Sequence, residues 1–377
     1  MSLREPNNKI TFANQLRGLA VLSVIVAHYC GVYWFSRDIV SMYIRAPLAE
    51  GSPPGIIYYI GFPTFNYGPF GVGVFFLISG FVIPFSLEKL GSWKFLLARS
   101  FRIFPTYWAA VTVTTLLVAA SGGYWARPSI FSDVQILMNG FLVQQFTNTP
   151  SIDMVNWTLA IEILFYLCSA AMWPFLRRAS STALINFAVI VLALLNWWPA
   201  SWDIPVSYEQ TVYTWGSIKY ELMMVSFIFI GTLFNFKMRE QISTGRMIGS
   251  VSAIFVAFLM MWQKTPFADQ FWRGTINYGY ALIVFSVCFY FRRKFRPSKI
   301  LDFFADISYP LYLVHAVCGY AVIRFLMEHR FSSSAAMVVA FCVAVVVAYV
   351  LHVTIEIPTS SLIKKREKPE TLKENVA

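Results

Sequence analysis

The residues best suited to chemistry sit where apolar sequence should exclude them. Residues 16–29 read LRGLAVLSVIVAHY, with Arg17 and His28 at either end of an apolar run in a chain that has four histidines. Eleven residues at about 100° each bring the two side chains to within about 20° of one face, with roughly 16 Å of helix rise between them. Charge facing lipid is costly, so that face must look at protein, water or a ligand. His28 suits general-base work on a hydroxyl, and suits a structural hydrogen bond across helices equally well. Arg17 suits gripping an anion, and also a snorkelling anchor in lipid headgroups.

Three more stretches carry similar groups. Glu162 lies in NWTLAIEILFYL (156–167), deep enough that a carboxylate needs a partner; it can orient an imidazole, pair with an arginine or tie two helices together. ISYPLYLVH (307–315) places Ser308, Tyr309, Tyr312 and His315 in one helix, with Tyr312 and His315 on a shared face. LARSFRIFPTYW (97–108) carries Arg99 and Arg102 one turn apart, ahead of Pro105. Two planar guanidinium forks facing one way can clamp phosphate, and two arginines at a helix end are also ordinary topology signals. Cations around one entrance with a histidine deeper in would serve group transfer across a membrane; a proton-coupled transporter would use the same charges.

The elements that hold these groups must be membrane helices. Of 377 residues 57% are hydrophobic and only 13% charged, too few charges to cover a soluble surface. Apolar runs fall at about 16–35, 70–87, 103–121, 156–174, 184–198, 218–235, 247–262, 276–291, 303–323 and 334–352, which predicts an all-α polytopic bundle of about ten transmembrane helices. The stretch 134–146 is too short to span and reads as an interfacial or re-entrant helix. With both termini inside, the inner segments collect 22 of the 30 basic residues, among them Arg4, Lys9, Arg177, Arg178, Arg292, Arg293, Lys294, Lys364 and Lys373. The net charge of +11 is therefore a signal of orientation, and no nucleic-acid partner is expected. Residues 1–358 form one membrane domain and 359–377 a polar cytoplasmic tail, with the first helix expected to stay as a signal-anchor. The five cysteines lack a CxxC pair, and no metal spacing, Walker motif or GxGxxG phosphate loop is present. Gly71, Gly73 and Gly80 in GVGVFFLISGF read as close helix packing. Tyr33, Trp34, Tyr58, Tyr59, Tyr124 and Trp125, near the outer connections, suit either sugar stacking or an interfacial aromatic belt.

Five segments in order, FANQLRGLAVLSVIVAH, GVGVFFLISGFVI, ARSFRIFPTYW, NWTLAIEILFYL and ISYPLYLVH, resemble the motifs of the acyltransferase-3 family of bacterial membrane acyltransferases, over roughly residues 9 to 358. The resemblance implies O-acyl transfer, usually of acetyl, from cytoplasmic acyl-CoA to a hydroxyl of an extracytoplasmic sugar or lipid-linked glycan, in the bacterial inner membrane. By the same analogy Arg17, Arg99 and Arg102 hold the acyl-CoA donor, His28 is the base, and Glu162 and His315 match polar positions kept within the bundle. Tyr309 and Tyr312 are candidate donors to the oxyanion. No metal is implied. The family often has an acidic residue where this chain has Asn14, so a carboxylate for Arg17 must come from elsewhere or be dispensable. A transporter or flippase for a glycosylated or acylated lipid, and a non-catalytic assembly component, are the competing classes.

Overall fold

The computed structural model describes residues 10–60, 65–128, 131–144, 147, 149–199 and 215–366, with side chains except at 59–60, 215–217 and 362–366. Arg4, Lys9, the side chains of Tyr59 and Lys364, residues 145–146 and the tail from 367 lie outside this description.

Every described element is helical. The chain runs through α1 (Thr11–Phe35), α2 (Arg37–Ile44), α3 (Gly55–Ile60), α4 (Tyr67–Tyr124), α5 (Asp133–Gly140), α6 (Trp157–Ala171) and α7 (Trp173–Leu176). It continues through α8 (Ser181–Trp197), α9 (Trp215–Met238), α10 (Thr244–Trp262), α11 (Phe271–Tyr290) and α12 (Lys299–Asp306). The last elements are α13 (Ser308–Val314), α14 (Ala316–Glu328), α15 (Ser333–Leu351) and α16 (Ile357–Arg366). A helix lies over each of the ten apolar runs, which makes the chain a multi-pass helical membrane protein. Among the described residues five helical stretches can cross a bilayer by length and composition, or six when α13 and α14 count as one broken span. The 15-residue α6 and 17-residue α8 are shorter. The described part of the stretch 134–146 contains the eight-residue α5.

Three interruptions shape the bundle. Gly91 adopts φ 69° and ψ 168°, which a side chain would resist, so α4 is two helices joined back to back. In α1 the ladder loosens into a π-helical turn over Ala27–Val32, which contains His28. Helices α13 and α14 meet at His315 with a bend of 54°. Insertions of this kind in an otherwise regular helix recur at functional sites, because they re-aim side chains and free backbone groups.

The core is built on α9, whose apolar window is 83% buried, against 33% for α10 and 22% for the stretch containing α15. Those two peripheral helices turn Val, Ile and Met side chains outward, as lipid-facing helices do. Helix α9 crosses the first limb of α4 at a glycine contact. A Cβ on Gly80 would stand 1.9 Å from the Ile228 carbonyl oxygen, and one on Gly231 would stand 2.1 Å from that of Leu77. Small residues let the two backbones touch, and Thr232 and Asn235 add hydrogen bonds to the carbonyls of Gly80 and Phe81 at 2.9 and 2.8 Å. The close packing expected of Gly71, Gly73 and Gly80 is thus observed, with neighbours inside 3 Å of each missing Cβ.

Candidate active site

The sequence-selected polar residues gather in two adjoining clusters. The first surrounds a cavity of about 100 Å³. Arg17 of α1, Arg102 of α4, Glu162 and Tyr166 of α6, and Ser308, Tyr309 and Tyr312 of α13 line it, with Val72, Phe75 and Phe76 as apolar wall. Tyr166, one turn beyond Glu162, donates its phenolic proton to that carboxylate. Arg17 lies within the fields of Arg102, Glu162 and Arg99. Three cations around one carboxylate leave an excess of positive charge in a half-buried site, the balance that favours an anionic ligand. The carboxylate near Arg17 therefore comes from α6. Asn14 is used otherwise: it donates to Asp302 of α12 at 2.6 Å, while the Asp302 carboxylate also accepts from the Ser298 amide.

The arginine pair of α4 divides. Arg102 lines the cavity. Arg99 turns away and lies 5.5 Å from the ring centres of both Phe95 and Tyr166, so its charge is spent on aromatic faces beside the site. Arg17 also lines a second, open cavity of about 530 Å³ with Ile10, Asn14, Phe85 and Met238. Arg17 is thus shared between an open vestibule and the inner chamber.

The second cluster lies where Tyr312, at the far end of the chamber, approaches His315, with ring centres 5.7 Å apart. His315 is fully buried and His28 half-buried, and their rings meet edge to face with centroids 4.7 Å apart. The Nδ1 atom of His28 is 2.5 Å from the hydroxyl of Tyr320. Among the described residues the Nδ1 atom of His315 faces only carbonyl oxygens, those of Tyr312 at 2.8 Å and Leu311 at 3.2 Å, and its Nε2 has no partner. Tyr29 donates to the His315 carbonyl at 2.9 Å, fastening α1 to the bend between α13 and α14. Seated against that phenol, Gly319 leaves no room for a side chain: a Cβ there would meet the Tyr29 hydroxyl oxygen at 2.1 Å.

Of the tyrosines expected at an oxyanion, Tyr309 has its proton engaged elsewhere, and Tyr312 accepts from Thr158. Tyr309 donates to the Ile103 carbonyl at 2.8 Å, and the hydroxyls of Tyr312 and Thr158 are bonded at 2.9 Å. His352 pairs with Glu356 at 2.7 Å in a second π-helical turn, and His329 packs on Phe325 near the end of α14. Sequence reasoning missed Tyr320 and Thr158, whose roles depend on helices meeting across the bundle. Tyr166 was legible as the i+4 neighbour of Glu162.

At the His28 end an open cavity of about 520 Å³ is lined by Ala27, Cys30 and Gly31 of the π-helical turn, by Phe35, Tyr58, Phe65 and Tyr67, and by Trp272 and Arg273 of α11. Tyr58 and Trp272 are exposed, whereas Tyr33 and Trp34 are buried core residues closed to any sugar. The connection before α6 is held by buried amides. The Asn139 carbonyl accepts from Tyr107 at 2.8 Å, and Asn139 Oδ1 accepts from the Ile152 amide and from Asn156 Nδ2. Asp153 accepts the amides of Val155 and Asn156 at 2.7 Å each.

A helical membrane bundle with a cation-lined chamber and, next to its Tyr312, a buried and a half-buried histidine in edge-to-face contact is the class that fold and site define. A family model described as an acyltransferase domain matches residues 10–353, and the chain belongs to that acyltransferase-3 family. It is also similar to nodulation protein 10 of Rhizobium leguminosarum bv. viciae, at 29% identity over 145 residues, which cover 34% of this chain and 38% of that relative. No solved structure matches.

Proposed function

We propose that this membrane acyltransferase takes its acyl group, most simply acetyl, from cytoplasmic acyl-CoA and transfers it to a hydroxyl of a cell-surface glycan or lipid-linked sugar at the bacterial inner membrane. The observation that carries the reading is the place of Arg17, which lines both the open vestibule and the chamber that reaches Tyr312, whose ring lies 5.7 Å from that of His315. The vestibule receives the donor, whose phosphates meet Arg17 and Arg102. A thin pantetheine arm then lies along the chamber, because the helix rise from Arg17 to His28 of roughly 16 Å is a length such an arm can cover. The acceptor enters from the aromatic-rimmed cavity beside the π-helical turn.

In the transfer step the acceptor oxygen attacks the thioester carbon, its proton passing to an imidazole. The C–S bond then breaks and the thiolate takes that proton back as the thiol. Buried dipoles and N–H groups beside the histidines stabilise the oxyanion formed between the two events. In this reading all ten helical stretches span, with both termini cytoplasmic, so that the basic helix ends share the donor's side.

The experiment is acyl transfer by the protein in nanodiscs from radiolabelled acetyl-CoA to cell-envelope glycan, read with mass spectrometry of that glycan from cells with and without the protein. A gain of one acetyl per modified sugar is expected. Unchanged glycan together with undiminished acetyl-CoA overturns the reading.

A further inference from the structure

The two histidines carry their protons on opposite ring nitrogens. Neutral imidazole has one N–H and one lone pair, and the partner of the first nitrogen decides which atom has which. His315 Nδ1 faces two carbonyl oxygens, which only accept, so it carries the hydrogen and Nε2 is a bare lone pair. That Nε2 is buried without a partner among the described residues. For His28 the partner is a phenol. Tyr320 is fully buried, and its bond to His28 Nδ1 is the one hydrogen bond its hydroxyl makes among the described residues. If Tyr320 accepted from His28, its own proton would be stranded in the core, which costs about 1–3 kcal/mol. It therefore donates, His28 Nδ1 is the acceptor, and the hydrogen of His28 lies on Nε2.

We propose that this opposition divides the chemistry: His315 Nε2 is the proton acceptor, His28 Nε2–H is the donor to the oxyanion, and Tyr320 is a positioning residue that fixes His28 in the donor form. The assignment rests on the acyl-transfer reading and moves the base from His28, where the sequence placed it, to His315. The steps balance. The acceptor hydroxyl gives its proton to His315 Nε2 as its oxygen bonds to the acyl carbon. The negative charge on the former carbonyl oxygen is met by His28 Nε2–H. As the C–S bond breaks, the imidazolium of His315 returns the proton to sulfur, leaving the ester, the thiol and two neutral imidazoles.

Three features of the fold serve this division. The π-helical turn of α1 re-aims His28 toward α14. The 54° bend places His315 at the junction of α13 and α14, where its Nδ1 reaches the Tyr312 carbonyl one turn back. Tyr29, donating to the His315 carbonyl, ties the two helices in register.

The test is ¹⁵N-histidine NMR of the full chain in nanodiscs, with the four histidines assigned by single substitution, beside turnover of acetyl-CoA. His28 is expected to show a pyridine-type Nδ1 and a pyrrole-type Nε2, and His315 the reverse. In Tyr320→Phe the His28 pattern should collapse toward a mixture while that of His315 stays fixed, a signature that mere loss of packing does not produce. In turnover, His28→Gln keeps an N–H donor and should retain at least tenfold more activity than His28→Ala, whereas His315→Gln and His315→Ala should fall together by roughly 10²–10⁴. The same tautomer at both histidines, or a bare Nε2 at His28, overturns the division even if wild-type turnover is normal. A wild-type protein with both expected tautomers but no acetyl transfer would sink the acyl-transfer reading and leave the tautomer assignment standing.

Discussion

The guanidinium of Arg99 stands 5.5 Å from the centre of the Tyr166 ring, and the hydroxyl of that tyrosine is bonded to Glu162. Arg99 thus helps to hold the carboxylate of the chamber, while its neighbour one turn on, Arg102, faces the chamber itself. The two arginines should therefore fail differently. Arg102→Ala should raise the KM for acetyl-CoA by about 10- to 150-fold, the equivalent of about 1.5–3 kcal/mol for a charge-assisted hydrogen bond. Arg99→Ala should change KM less and lower thermal stability, because a cation over two rings contributes about 0.5–2 kcal/mol. Donor titrations and melting of both variants in nanodiscs check this; equal KM shifts would mean that both forks touch the donor.

Gly80 and Gly231 give a second prediction, on stability alone. Each opposes a backbone carbonyl at a distance no Cβ can occupy, so Gly80→Ala or Gly231→Ala must push α9 away from α4. Overpacking of this kind costs about 1–3 kcal/mol. The two substitutions act on one contact, so the double variant should lose less than the sum of the singles. Gly245, which faces open space, is the control: Gly245→Ala should leave the melting temperature unchanged. A thermal-shift series decides the matter, and additive losses at Gly80 and Gly231 would show that the contacts are independent.

The sequence made some of this legible and hid the rest, for physical reasons. Long apolar runs declare helices in any context, which is why the ten runs coincide with helical stretches. Arg17, Glu162, Tyr309 and Tyr312 could be singled out because a polar group in such a run is expensive, and they do share one chamber. The i, i+3 spacing of Arg99 and Arg102 suggested one clamp, yet rings from α4 itself and from α6 draw Arg99 aside. Spacing fixes a direction on one helix and says nothing of what the neighbouring helices offer. The π-helical turn at His28 and the bend at His315 were invisible for the same reason: no positive-φ glycine announces either, and Pro310 lies five residues before the bend. Tyr320 pairs with a residue from the opposite end of the chain, and no local pattern records that meeting.

Asp153 supplies a prediction in pH. It lies in the connection before α6, where burial pushes its carboxyl up to about 6 from an ordinary 3.8, against the opposing pull of two backbone amides. The folded state therefore holds this proton more tightly than the unfolded chain does. The resulting stability is fully present below about pH 4 and is lost as pH rises toward about 6, after which it stays flat. Two units correspond to a cost on the order of 3 kcal/mol at neutral pH. Asp153→Asn keeps a carbonyl oxygen for the two amides and removes the charge, so it should melt no lower than the wild type at pH 8. Its advantage should shrink as pH falls from 6 to 4. A melting difference independent of pH would show that Asp153 titrates at its ordinary value.

The last prediction is topological. Hydrogen bonds collect the basic connections at one end of the bundle. Arg239, after α9, pairs with Glu88 of α4 at 2.6 Å. Arg246, at the start of α10, reaches Ser181 and Thr182 at the start of α8, at 2.8 and 3.1 Å. Gln15 of α1 reaches the Arg296 carbonyl in the connection before α12, and Ser92 beside the kink of α4 reaches the end of α6. The opposite end is tied by Asn66 to Asn277, Ser121 to Ile44 and Arg324 to Pro47, in connections with far fewer lysines and arginines. The positive-inside bias predicts that the first end, with Arg17 and its vestibule, faces the cytoplasm. Reporters active on one side of the membrane, fused after Arg178, after Glu240 and after Lys294, should all report the cytoplasm. One fused after Lys264, between α10 and α11, should report the other side. The reverse pattern would place the vestibule outside, where acyl-CoA is absent, and the proposed donor route would have to be abandoned.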